Sequence, residues 1–365
     1  MDRKTVSVCM ICFNESDCLH TSLKSAQKLA DEIIVVDNGS TDDSVEVAGK
    51  YGARVIKWED RSSKSRLRNI AISNASSDWV VILDGDEEIA EPEVVKEYLR
   101  TADDEAIYVR IVAPSNGFAF HQMRIWPKGT YKYKYRSHEL PVHLGDPLKT
   151  KYSDIVFNHY QPSYRWPMKL ETTLARLILD VHENPGDARP LYYLGRQYLY
   201  LRMYESAIAT FEEYFKCEQN RYDDADAYAN MATCYKQLGD NKKAKTNWFE
   251  AISTFPNRRE FWVGLAEQFR NDKNYNLAIS MLQCAERVPP PKTRYYVAHW
   301  YDDQPHLSEL ISRNMWSAGR YEEGLKYALK ALAIWPDNKQ LIENVRFFKE
   351  KVYGDNAGND KNKEE

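Results

Sequence analysis

Residues 79–89 read WVVILDGDEEI, an apolar run that ends in four carboxylates, Asp84, Asp86, Glu87 and Glu88. Carboxylates two residues apart at the end of a buried strand repel each other unless a cation sits between or beside them. Oxygen-only ligands with an open coordination sphere suit Mg or Mn, held jointly with substrate phosphates. The alternative is a solvated Asp-Gly turn. Two earlier apolar runs also end in polar residues: Asn14 and Glu15 follow VSVCMICF, and Asp37 opens DNGSTDDS after EIIVV. Between these and the acidic stretch lies RLRNIAI, with Arg66, Arg68 and Asn69. Basic side chains of this kind suit a ligand that carries phosphate.

Such residues need a frame that brings them together. Residues 5–12, 32–37, 53–58 and 78–84 have the apolar, β-branched composition of strands. Residues 16–30, 41–52 and 62–75 have helical spacing of apolar positions, the second closed by Gly52. Strands separated by helices of about ten residues predict a parallel sheet with helices on both faces. Ligands of such sheets bind beyond the carboxyl ends of the strands, where the polar residues above fall.

VSVCMICFNES, EIIVVDNGSTDDS, RLRNIAI and WVVILDGDEEI, in that order and spacing, resemble an inverting family-2 glycosyltransferase with the α/β, Rossmann-like GT-A fold. Four ordered motifs carry the resemblance over roughly residues 5–160. It implies a nucleotide-sugar donor, expected to be a UDP-sugar. The donor-binding set it implies is Asn14, Glu15, Asp37 (at the base), Arg68, Asn69, Asp84 and Arg124. It also implies a divalent ion, Mn or Mg, on Asp86 and Asp84, mainly the former, completed by His159. An inverting transfer needs one base to take the acceptor proton. In the R…HE pattern the resemblance points to Glu139 as that base, with His138 orienting it or the acceptor. A structural His–Glu pair is the alternative. The alternating strip from Tyr131 to Arg136 reads as a half-exposed strand, with sugar or phosphate contact as a second use. Paired carboxylates would also suit a glycosidase, but that enzyme would not need the Asp37 motif or the arginine helix.

The pattern changes after residue 187. Small residues recur twelve apart, as Gly195 and Ala207, Ala232 and Ala244, Ala266 and Ala278, and Ser312 and Gly324. The first three pairs are offset by 37 and then 34 residues, close to the tetratricopeptide period, which these segments resemble. The expected organisation is a transferase domain over 1–160, a helical linker over 161–187 and about four helix pairs over 188–352. A polar, disordered tail is expected over 353–365. The linker has helical apolar spacing and is expected to clamp the array to the transferase in a fixed arrangement. Such an array suits a peptide or protein acceptor, with a glycan next; packing or homo-oligomer formation alone is the competing use. Acidic and basic residues balance in this half and the formal net charge is −4, which argues against generic nucleic-acid binding without excluding it. The alternatives for the whole chain are a repeat scaffold with an idle nucleotide-sugar-binding domain, or a transferase acting on a modified nucleic-acid base.

No run approaches the roughly 20 apolar residues of a membrane span, and no leader-like segment opens the chain. A cytoplasmic location is the expectation. Cys9 and Cys12 form a lone CxxC inside a strand, where positions three apart face opposite sides, so buried thiols are expected rather than a metal or redox pair.

Overall fold

The computed structural model describes residues 4–60, 62–115, 118–146, 148–160, 169–217, 221–289 and 304–354. They form two compact units divided between Pro185 and Gly186.

In the first unit the apolar runs form β1 (Val6–Cys12), β2 (Glu32–Asp37), β3 (Arg54–Lys57) and β4 (Trp79–Ile82). Between them run α1 (Ser16–Leu29), α2 (Ser44–Lys50) and α3 (Lys64–Ser73). The strands lie in the order β3-β2-β1-β4, all parallel. Their near-continuous apolar sequence follows from burial on both faces. Val8 and Met10 of β1 pack with Leu19 and Leu23 of α1. Cys9 packs on the other face with Leu67 and Ala71 of α3. Cys9 and Cys12 therefore belong to different core layers, as strand geometry required, and all six cysteines are free thiols.

The chain continues through β5 (Glu87–Ile89), α4 (Pro92–Thr101), β6 (Ala106–Ala113) and β7 (Phe118–Pro127). It then forms β8 (Tyr131–Lys134), β9 (Leu140–His143) and β10 (Thr150–His159). The sheet extends from β4 as β7-β6-β10-β5, giving eight strands. β7 runs antiparallel to β4 and β6, β10 is parallel to β6, and β5 is antiparallel to β10. β8 and β9 make a separate antiparallel ribbon. On β8, Tyr131 and Tyr133 are buried around Trp126 while Lys132 is exposed, the half-exposed alternation expected of this strip.

One boundary differs from the sequence reading. α5 (Lys169–Glu183), expected within a linker, belongs to the first unit. The physical reason is burial: Leu177 and Asp180 are each only 1% exposed, and Asp180 is hydrogen-bonded into this unit.

The second unit is helical throughout its described residues. Its pairs are α6 (Ala188–Tyr200) with α7 (Tyr204–Tyr214), α8 (Arg221–Gln237) with α9 (Asn241–Thr254), and α10 (Arg259–Asn271) with α11 (Tyr275–Arg287). α12 (Gln304–Ser317) pairs with α13 (Tyr321–Ile334), and α14 (Lys339–Tyr353) packs on α13. The small residues lie where paired helices meet: Ala207, Ala232, Ala244 and Ala278 have no exposed surface. At Gly324 an added Cβ would lie 2.3 Å from the Phe348 ring, so only glycine permits that approach. The expected tail falls outside the described residues from 355 onward, as do residues 161–168 of the expected linker and residues 290–303 before α12.

Candidate active site

The first unit gathers its candidate residues where the parallel strands end. β1 runs into Asn14, whose left-handed backbone (φ 52°) turns the chain into α1. The Asn14 side chain spans to the loop after β2, its Oδ1 accepting from the Thr41 N–H at 2.8 Å. Asp37 is 2% exposed and accepts from the N–H groups of Gly39 and Ser40 at 3.1–3.3 Å. Its carboxylate thus shapes the loop it opens, a common use of Asp at a strand end. Glu15 leans on the acidic turn: a Cβ at Gly85 would lie 2.1 Å from Glu15 Oε2. A side chain at this position would displace the Glu15 carboxylate from the turn.

α3 starts at Ser63, whose hydroxyl accepts from the Arg66 N–H, and buries Leu67, Ala71 and Ile72. The same face carries Arg68, which is 6% exposed. Arg68 donates from Nη2 to Asp84 Oδ1 at 2.7 Å and from Nε to Glu139 Oε1 at 3.0 Å, with Tyr133 beneath it, the ring centroid 5.2 Å from its guanidinium carbon. Arg124 arrives on β7, which pairs directly with β4. Its Nη2 donates to Asp84 Oδ2 at 2.9 Å and to Glu87 Oε1 at 2.7 Å. The other Glu87 oxygen accepts the Asp84 N–H at 3.0 Å.

Two buried guanidiniums therefore face three carboxylates, Asp84, Glu87 and Glu139. Burial alone would raise the pKa of Asp84, but Arg124 and Arg68 overcome it and hold that carboxyl far below its usual range. Glu87 is pushed up to about 7, because burial and the charges of Asp84 and Asp86 outweigh its share of Arg124. Glu87 is the most buried of the three acids and shares Arg124 with Asp84, so it holds its proton most readily. Burial also works to raise Glu139, yet Lys64 and Arg68 prevail and lower it.

Asp86 lies on the other side of the turn. Strand β5 pairs with β10, setting His159 beside it, with Nε2 of His159 3.6 Å from Asp86 Oδ2. The neighbouring Asp86 carboxylate raises the His159 pKa, against the opposing effect of burial. Both side chains are partly open, at 13% and 27% exposure. Among the described residues no three His, Cys, Asp or Glu side chains converge into a ready-made metal cage.

The expected residues therefore divide. Arg68, Arg124, Asp84 and Glu139 come together, and Asp86 joins His159. Each Asp84 oxygen accepts from an arginine, Arg68 or Arg124, so the cations beside this carboxylate are protein side chains. The Asn69 amide clamps the backbone of Tyr133, donating to its O at 2.9 Å and accepting from its N–H at 2.7 Å. His138 is exposed, on a left-handed backbone at φ 51°. Two participants escaped the sequence reading. Glu87 stood in plain view beside the aspartates, but only burial distinguishes it from Glu88. Asp180 carried a signal in the spacing of Arg176, Asp180 and Glu183 along one helical face.

The second unit holds a cleft of ≈ 400 Å³ lined by Arg270, Arg313, Trp316, Ser317, Asn344, Phe347 and Phe348, none of them among the candidate residues above.

Comparison with known proteins agrees with this division. Residues 7–150 match the family model for glycosyl transferase family 2. A glycosyltransferase of Rickettsia prowazekii is 36% identical over 109 residues, 29% of this chain and 36% of that protein. The glycosyltransferase SunS of Bacillus subtilis is 25% identical over 240 residues, 60% of this chain and 54% of that protein. A TPR repeat-containing protein of Synechococcus elongatus is 39% identical over 84 residues, 23% of this chain and 21% of that protein. Among solved structures, the C-terminal part of a TPR repeat-containing protein from Cytophaga hutchinsonii aligns with a TM-score of 0.44 and 13% identity, over 50% of this chain and 67% of that one. The chain spans well under two thirds of the length of each of these three curated relatives. The first unit carries a glycosyltransferase family 2 domain. The chain joins that domain to an array of tetratricopeptide repeats.

Proposed function

We propose that the first unit transfers a sugar, with inversion, from a nucleotide-sugar, expected to be a UDP-sugar, to a peptide, protein or glycan acceptor. The observation that carries this is the convergence of Arg68, Arg124, Asp84 and Glu139 from four stretches of chain, beside the open Asp86–His159 pair. In this reading the nucleotide lies across the ends of β1 and β2, on the loop that Asn14 and Asp37 shape. Asp86 and His159 fit a divalent ion: they supply two adjacent, partly open donors and leave the remaining positions to diphosphate oxygens and water. Such an ion offsets charge on the leaving diphosphate. Glu139, held ionised by Lys64 and Arg68, is available as a proton acceptor. The acceptor nucleophile bonds to the anomeric carbon, the bond from that carbon to the diphosphate oxygen breaks, and the acceptor proton passes to Glu139. Arrays of such repeats commonly present a concave surface to extended peptides, which favours a peptide or protein acceptor.

The test is thermal stabilisation against a panel of nucleotide-sugars, each with and without Mn. A donor at 100 times its dissociation constant adds about 2.7 kcal/mol. A Mn-dependent shift with one nucleotide-sugar supports the reading. No shift with any of them favours a repeat scaffold whose transferase domain is idle, a reading favoured in turn by the arginines already occupying Asp84 and Glu139.

A further inference from the structure

α5 lies beyond the segment that matches the family model, yet it reaches the loop carrying the candidate base. That loop is unusual in its backbone. Tyr135 and His138 both adopt left-handed conformations, at φ 68° and 51°. Neither is glycine, so each position is costly unless its surroundings hold it. Between them stand Arg136 and Ser137, and their N–H groups point at one buried carboxylate. Asp180 accepts from the Arg136 N–H at 2.8 and 2.9 Å and from the Ser137 N–H at 3.2 Å. The Arg136 guanidinium adds a bond to Asp180 at 3.4 Å and a two-pronged grip on Glu183 at 2.5 and 2.6 Å. On the opposite side the Lys64 N–H donates to the Arg136 carbonyl at 3.2 Å, tying the loop to the start of α3. Glu139 follows two residues after Ser137 and rests on Arg68. A helix presents positions four and three apart on one face, so Arg176, Asp180 and Glu183 are offered together.

We propose that Asp180 is a positioning residue of the active centre, anchoring Arg136 and Ser137 so that Glu139 is held against Arg68 beside Asp84. The proposal deepens the transferase reading and rests on it for its kinetic consequence, but the geometric part stands separately. Asp180 touches no reacting group. It fixes where the base is, and the strained loop is the conformation it selects. An ordinary structural staple would contribute stability without being coupled to Glu139.

The test uses the full chain with Asp180→Asn, which keeps the shape but loses one acceptor oxygen. With the nucleotide-sugar found in the stabilisation panel, nucleotide release should show kcat reduced about 100-fold, the scale of a small misplacement of a catalytic group. The donor KM should stay within about twofold, since donor contacts are untouched. Combining Asp180→Asn with Glu139→Gln should be no slower than Glu139→Gln alone, because both remove the same function. Adding Tyr135→Gly to Asp180→Asn should recover part of kcat, glycine adopting the left-handed backbone without help.

An activity-free readout is the titration of the Glu139 carboxyl by carbon NMR, identified by its loss in Glu139→Gln. The charges facing that carboxyl are Lys64 and Arg68 of α3, Asp84 after β4, Tyr133 of β8 and Arg176 of α5. Releasing the loop takes Glu139 away from Lys64 and Arg68, so its midpoint should rise in Asp180→Asn. Glu183→Gln, at a half-exposed position that leaves the fold intact, should move it the same way by less, and it serves if Asp180→Asn does not fold. An unmoved midpoint, or losses that multiply in the double variant, would overturn the proposal. A shifted midpoint in a protein that releases nucleotide from no nucleotide-sugar would instead sink the transferase reading and leave the positioning intact.

Discussion

Asp84 and Asp86 share one turn and sit in opposite electrostatic settings. Asp84 bonds a different buried guanidinium with each oxygen, and its carboxyl is driven well below the usual range. Asp86, the less exposed of the two side chains at 13% against 27%, meets a single histidine. The difference teaches that the partners of a carboxylate, and not its exposure alone, set its electrostatic surroundings. Here one aspartate is neutralised by two arginines of the protein, and the other faces one histidine. The charge of Asp84 is met inside the protein, and that of Asp86 is met only in part.

The largest expected effect comes from breaking the arginine-bonded half. Arg124→Met leaves Asp84 and Glu87 short of a cation and should cost about 3–5 kcal/mol, read from the urea midpoint. On the histidine side, Asp86→Ala should leave stability without ligand within about 1 kcal/mol, since it breaks only a partly exposed pair. The same variant should lose the whole Mn-linked increment, about 2.7 kcal/mol at 100 times the dissociation constant. Retention of that increment would remove Asp86 from the metal site.

Asn69→Ala sharpens the distinction between holding the site and touching the donor. It should lower stability by about 1–3 kcal/mol through the unpaired Tyr133 backbone, with donor affinity per folded molecule unchanged. The smallest effect is a dependence on pH. Glu87 is protonated more readily folded than unfolded, so its contribution is complete below about pH 4.5 and is lost as pH rises through about 7. Wild-type stability should fall across that window by less than about 1.4 kcal/mol per pH unit more than that of Glu87→Gln. A variant with the same slope would place the buried proton elsewhere.

Much of the frame was legible. The alternation of apolar runs and helical spacing located the four parallel strands, because strands buried on both faces must be apolar throughout. The twelve-residue spacing of small residues located the helix pairs, because side-chain volume at their crossings is limited. The antiparallel second half of the sheet was not legible. Its strands pair across long intervals, as β5 with β10 does, and no local periodicity records which strand finds which. For the same reason the sequence suggested Arg68, Arg124, Asp84 and Glu139 as separate participants without showing that they neutralise one another. Asn69 illustrates the limit: it follows Arg68 directly, and a helix points adjacent residues about 100° apart, so one reaches the carboxylates while the other clamps β8.

By itself, the sequence determined the kinds of element, their order, and the chemical types gathered at the strand ends, since these depend on periodicity and side-chain identity. Only the tertiary structure decided which aspartate takes two arginines and which a histidine, that Glu87 is buried against Arg124, and that α5 reaches back to the Glu139 loop. Those outcomes depend on distances and burial between residues far apart in the chain, quantities that spacing along the chain does not contain.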